Sequence, residues 1–313
     1  MADFTVETYS RRRLEGMIAL YNQETEHEPH IARLTPDLFT ALVEAKSYFD
    51  PSSLFVALER GRVVGWVHAC MAPTSEPWQE AGRVVARIRM LIFPQDRLKV
   101  GGTLVAAATD WLKPRGATEI EAMHPAWGYP FYRGLWLGGE PMGPVTIPHV
   151  QLALEVAGYK HDFESIMMTA AMKSVPLDAA WADPVELVTA PAEMAHDGMR
   201  QSWVGFDPMR TRVLLKGQEV GAIGWAVLPH VSERLGAPCL NIWSLGVHEQ
   251  HRRRGIGLAL VRVAARRGYE SGARFCSVGT QLWNAPAHAT YAAAGFLPYR
   301  IVVGRKLTLQ QDP

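Results

Sequence analysis

The residues best suited to chemistry lie in one run, Val247 to Leu260, which reads VHEQHRRRGIGLAL. Arg252, Arg253 and Arg254 stand directly before Gly255, Ile256 and Gly257. Two glycines let the backbone turn tightly with its N–H groups aimed into one concavity, and the amphipathic stretch that follows adds the positive end of a helix. Such a loop suits a pyrophosphate. The guanidinium groups supply charge at its rim, and Arg262 and Arg266, farther along the helix, are placed to reach a further phosphate. A dinucleotide fingerprint would need a third glycine where Leu260 stands, and a P-loop would need Gly-Lys followed by Ser or Thr. Three arginines without interleaved aromatics are weak support for a nucleic-acid patch. A second run, Asn284-Ala285-Pro286-Ala287 followed by Tyr291-Ala292-Ala293-Ala294-Gly295-Phe296, places a phenol and a carboxamide close downstream. Asn284 is also well placed to cap a helix that begins at Pro286.

Elements of regular spacing surround these runs. In the second half, residues 211–215 and 220–227 alternate about a Lys216-Gly217 turn, and a strand is expected over 239–247. A helix is expected over 255–270, a strand over 274–279, a helix over 286–294 and a last strand over 299–307. The first half has the same order: helices at 11–21 and 36–48, a hairpin of 54–59 and 63–71 about Arg60-Gly61, a strand at 83–93, a helix at 102–111 and a strand at 119–123. Residues 127–143 (WGYPFYRGLWLGGEPMG) fit neither period and are expected to form a long loop.

The order reflects an internal duplication. Gly257 set opposite Gly102 places Arg252 opposite Arg97, Leu245 opposite Met90 and Val247 opposite Ile92. Gly295-Phe296 matches Gly158-Tyr159. The interval between matched glycines is 38 residues in the second half and 56 in the first, and the excess is about the length of the aromatic stretch. Periodicity is lost at 172–184, which contains two prolines, so the expected domains are 1–172 and 185–313. The second is short between Val188 and Thr211, so one of its leading helices is expected to be reduced or missing.

The composition is that of a globular protein: 48% hydrophobic, with 32 Lys and Arg against 31 Asp and Glu, a formal charge of +1. No global field draws the chain to nucleic acid or an anionic membrane. Cys70, Cys239 and Cys276 are too scattered for a disulfide framework or a zinc site, which suits a reducing cytoplasm, and no run of apolar residues is long enough to span a membrane. Oligomeric state is not legible.

An Arg-x-x-Gly-x-Gly loop leading from a strand into a helix, with the later Asn-x-x-Ala segment and the Tyr-containing helix ending in Gly-Phe, resembles the GNAT family of N-acetyltransferases. The resemblance covers residues 186–309 well and 3–170 more loosely. It implies an α/β fold with an α+β mixed sheet, each sheet splayed at its central strand, and a tandem duplication of the GNAT acyl-CoA N-acyltransferase fold. It further implies an acetyl-CoA-dependent transfer to a primary amine by direct attack in a ternary complex, with no metal. Leu245 and Val247 would align pantetheine through their backbone, Arg252, Arg253, Arg254, Gly255, Ile256 and Gly257 would hold pyrophosphate, Asn284 would bond the cofactor or a water, and Tyr291 would be the general acid. No carboxylate lies on the central strand at 241–244; His248 and Glu249 fall in the solvated loop beyond it, so a water relay is expected in place of a side-chain base. Cys276 reads as a core residue and not a nucleophile. In the first half Val100 replaces the first glycine and Leu154 stands opposite Tyr291, so that domain is expected to be silent by the tyrosine route. Arg97, Lys99, Gly101 and Gly102 stay candidates for weak CoA binding there, and Tyr129 or Tyr132 for another acid. The aromatic stretch 127–136 is the expected wall of an acceptor pocket completed by the first domain. The alternative is a non-catalytic acyl-CoA-binding or regulatory GNAT-like protein.

Overall fold

The structure is a computed structural model that describes residues 4–71, 83–124, 130–136 and 147–309. The first half runs β1 (Phe4–Thr8), α1 (Leu14–Glu24), α2 (Pro36–Phe39, continued by a π turn), β2 (Leu54–Glu59), β3 (Arg62–Met71), β4 (Val85–Ile92), α3 (Leu98–Leu112), β5 (Glu119–Ala122), α4 (Pro148–Val156) and β6 (Lys160–Ala171). The second runs β7 (Glu186–Pro191), α5 (Asp197–Trp203), β8 (Met209–Leu215), β9 (Gln218–Leu228), α6 (Ser232–Leu235), β10 (Cys239–Val247), α7 (Ile256–Glu270), β11 (Phe275–Gln281), α8 (Ala285–Ala293) and β12 (Leu297–Thr308). Between β7 and β8 there is only the seven-residue α5, where the first half has α1 and α2.

Local chemistry explains the repeat. The hairpin turns Arg60-Gly61 and Lys216-Gly217 both hold two consecutive left-handed residues, φ 49° and 78° in one and 52° and 79° in the other, the turn whose twist matches its flanking strands. Every residue of β4 is buried, Arg87 and Arg89 among them, and α7 buries Ile256, Leu260, Val261, Ala264 and Ala265 along one stripe.

The sheet is continuous. Its twelve strands lie in the order β1-β2-β3-β4-β5-β12-β6-β11-β10-β9-β8-β7, so the two sheets expected from the duplication are joined into one. The joint is an exchange: β12 pairs antiparallel with β5 through Arg305–Thr308, and β6 pairs antiparallel with β11 through Ser165–Ala171. The last strand of each half thus completes the sheet of the other. Because successive side chains on a strand face opposite ways, Met167 of β6 packs in the core of the first half while Met168 packs in that of the second. One consequence is cooperative unfolding. The full chain should melt in a single calorimetric transition, and a fragment ending at 172 should be insoluble, since it leaves β6 without β11 and β5 without β12; two separated transitions would contradict the exchange.

Candidate functional site

The site forms where β10 and β11 part. They pair in parallel only from Cys239–Ile242 to Phe275–Val278. Past that point β10 stays with β9, through a bulge at Trp243, while β11 stays with β6 as far as Gln281. Ser244 to Val247 therefore present one row of backbone N–H and C=O groups to an open gap, and the side chains of Leu245 and Val247 pack on the second core. A cavity of about 1120 Å³ fills the gap, above the usual range for a single small ligand.

At one end of this cavity lies the arginine and glycine loop. Arg253 (φ 59°) and Gly255 (φ 78°) are both left-handed, and Gly255 is the N-cap of α7 with no side chain capping the helix. The first turn of this 15-residue helix thus carries no side-chain cap, and its N–H groups and positive dipole end suit an anion. Leu245, Val247, Arg252, Arg253, Gly255, Ile256, Gly257, Asn284 and Tyr291 all line the cavity. Arg252 Nε donates to Val247 O at 3.1 Å, which pins the rim to the end of β10. Asn284 also caps α8: its Oδ1 accepts from Ala287 N at 3.3 Å and its Nδ2 donates to Thr280 Oγ1 at 3.2 Å.

Three arginines depart from expectation. Arg254 does not line the cavity; it pairs with Asp183. Arg262 Nη1 donates to Asp178 O at 3.4 Å, and Arg266 donates to Leu177 O at 3.2 Å and pairs with Asp178. These side chains fasten the connection between the halves onto α7.

Tyr291, on α8, is 5% exposed, with its ring 5.9 Å from Phe296. Burial pushes its phenol up to about 12, so the group is fully protonated at neutral pH. Cys276 is fully buried and its thiol is held well above the usual range, so the acyl-cysteine route is closed by solvation as well as by position. Glu249 and His251 line the cavity at the loop end, and His248 does not line it.

What the first half contributes differs from the expectation. None of residues 130–136 lines the cavity, and Trp127 and Tyr129 lie outside the described residues. Phe131 and Tyr132 are buried against His68, whose Nδ1 is 2.7 Å from Tyr132 Oη, and burial holds that phenol well above its ordinary range. Arg133 reaches the site only indirectly: its guanidinium lies 3.9 Å over Trp203, whose ring is 5.8 Å from Trp243 in the cavity wall. The first half supplies β6 instead, with Phe163, Ser165 and Met167 in the lining. The short apolar run Ile166-Met167-Met168 is the signal that points to a strand here, but which sheet receives it is not written in that segment.

The corresponding place in the first half is closed. β4 and β5 also part, after Ile88 and Ala122, but fully buried Arg89 fills the gap and donates to His124 O at 3.0 Å. Helix α3 begins at Leu98, three positions earlier than α7 when Gly102 is set opposite Gly257, so the loop is replaced by a helical turn that buries Val100. Phe93 covers Gly101, where a Cβ would lie 2.4 Å from the ring, and Arg97 is held by both oxygens of Glu59 at 2.9 and 3.1 Å. Glu121, His124 and Asp162 cluster nearby, but Arg87 pairs with Glu121, and Lys306 with Asp162 at 2.9 Å, so that charge is already balanced.

Residues 178–296 match the sequence profile of the Acetyltransferase (GNAT) family. The second half carries a GNAT domain. Similar solved structures extend the likeness to the whole chain. A tandem GNAT protein from the clavulanic acid biosynthesis pathway has a TM-score of 0.70 at 17% identity, covering 99% of this chain and all of that one. A GCN5-related N-acetyltransferase from Sphaerobacter thermophilus has 0.64 at 14%, covering 97% and 95%. The N-myristoyltransferase of Saccharomyces cerevisiae, with bound myristoyl-CoA, has 0.60 at 8%, covering 100% and 80%. No curated protein matches the sequence. The chain therefore has a tandem GNAT fold, and no helix among the described residues is long and apolar enough to cross a membrane.

Proposed function

We propose that the protein is an acetyl-CoA-dependent N-acetyltransferase acting on a primary amine, with its active site in the second GNAT domain. The observation that carries this reading is that one cavity joins an uncapped helix N-terminus, a cationic loop and a buried phenol. The loop of Arg252, Arg253, Gly255, Ile256 and Gly257 fits a pyrophosphate, and the open edge of β10 fits the amides of a pantetheine arm.

The thioester brings an activated acyl carbon; the chain's own residues place it and manage the protons. The amine nitrogen bonds to the carbonyl carbon, the C–S bond breaks, and the sulfur leaves as thiolate. Tyr291 donates a hydrogen bond to that sulfur. A thiolate, whose thiol has an ordinary pKa near 8.5, is a weaker base than the phenolate of a phenol at about 12, so full transfer from the phenol would run uphill by about 5 kcal/mol. Tyr291 thus stabilises the leaving thiolate, and the proton that neutralises it comes finally from the acceptor amine. No carboxylate stands at the open edge of β10, so that proton leaves through water held by hydroxyls such as Ser165, Ser244 and Thr280.

Three free and buried cysteines suit a reducing cytoplasm. The test is release of free thiol from acetyl-CoA across a library of primary amines. Amine-dependent release supports the transferase; tight acetyl-CoA binding with no release from any amine supports a regulatory acyl-CoA-binding module. Because the first half's loop is helical and its gap is filled, titration calorimetry should count one acetyl-CoA per chain; a count near two would place a second site there.

A further inference from the structure

The lining of the cavity includes Ile242, Val278 and Gly279, at the apex where the strands part. Gly279 is the first residue of β11 beyond its pairing with β10, and on its other side it faces Met167 of β6. A Cβ on Gly279 would lie 2.9 Å from Met167 Sδ and 3.1 Å from its Cε, so the thioether lies across the glycine and fills the slot that a side chain would occupy. Met167 is 1% exposed, yet it lines the cavity together with Gly279, Val278 and Val302. The apex is therefore apolar and closed by one flexible, unbranched side chain. That side chain belongs to the first half and reaches the site only because of the strand exchange.

Resting on the function proposed above, which puts the thioester beside Tyr291, we propose that Met167 sets the length of the acyl group the protein accepts, admitting acetyl and turning away longer chains. Truncation to alanine removes three heavy atoms and opens room for about as many chain atoms. Each methylene so buried is worth roughly fourfold in affinity.

Titration calorimetry on the full chain with CoA, acetyl-CoA, butyryl-CoA and hexanoyl-CoA tests this. Wild type should bind acetyl-CoA at least about tenfold more tightly than butyryl- or hexanoyl-CoA. Met167→Ala should close or reverse the butyryl gap while leaving the affinity for CoA itself unchanged, and Met167→Leu, of similar volume, should keep the wild-type order. If the alanine variant does not fold by circular dichroism, Met167→Val decides in the same way. Equal wild-type binding of acetyl- and hexanoyl-CoA would overturn the proposal, as would a truncated variant with the wild-type acetyl-to-butyryl ratio. Failure of wild type to bind CoA at all would strike instead at the phosphate-loop assignment on which the proposal rests.

Discussion

Gly257→Glu should abolish acetyl-CoA binding, a loss of about a thousandfold by calorimetry, with the fold intact. Gly257 stands at the start of α7, and a Cβ there meets only Thr290 Cγ2 at 3.7 Å and Val247 Cγ2 at 3.8 Å, which is ordinary contact. The backbone therefore accepts a side chain. A glutamate would set a carboxylate among the N–H groups and arginines proposed to hold pyrophosphate, removing two or more charge-assisted hydrogen bonds worth about 1.5–3 kcal/mol each. Gly257→Ala is the control: it adds helix propensity of up to about 1 kcal/mol and should leave melting unchanged or slightly raised. Full affinity in the glutamate variant would mean that CoA lies elsewhere.

Tyr291→Phe should lower kcat about a hundredfold or more while acetyl-CoA affinity stays within about twofold. Phenylalanine keeps the packing on Phe296, so the loss isolates the hydroxyl. The pH dependence gives a second readout. The phenol serves only while protonated, and burial pushes it up to about 12, so no fall in rate due to Tyr291 begins below about pH 11. From pH 7 to 10 the ratio of wild-type to variant rates should be constant, with both rising as the acceptor amine loses its proton. A descending limb near pH 9 that vanishes in the variant would contradict the raised phenol, and an unchanged kcat would remove Tyr291 from the chemistry.

Much of this was legible because it is local. The turns, the long helices α3 and α7 and the central strands β4 and β10 are set by periods within ten or fifteen residues, and the loop carries its glycines and arginines in one run. What sequence reasoning missed is nonlocal. No strand is expected at 160–171 from the sequence, and the two faces of β6 serve different cores, so nothing in that segment says that Met167 will meet Gly279, more than a hundred positions away. The arginines illustrate another limit: Arg254, Arg262 and Arg266 carry the charge a phosphate needs, yet their partners are Asp183, Asp178 and the Leu177 carbonyl in the connection between the halves. The aromatic stretch 127–136 is expected to wall the acceptor pocket, but the described side chains of 131–136 fill the first half's own interior, and Arg133 touches the cavity wall through Trp203 and Trp243.

The strand exchange also dictates what a ribosome can finish, and when. β5 is made by residue 122, but its neighbour β12 is not synthesised until residues 297–308. At ordinary translation rates the N-terminal half waits on the order of ten seconds or more with an open sheet edge. It cannot close on its own last strand either, because β6 lies between β12 and β11. The two copies of the fold are thus completed together, late in synthesis. A truncated or stalled chain exposes the longest unpaired edges, and chaperone demand should fall on this protein during synthesis and not after it.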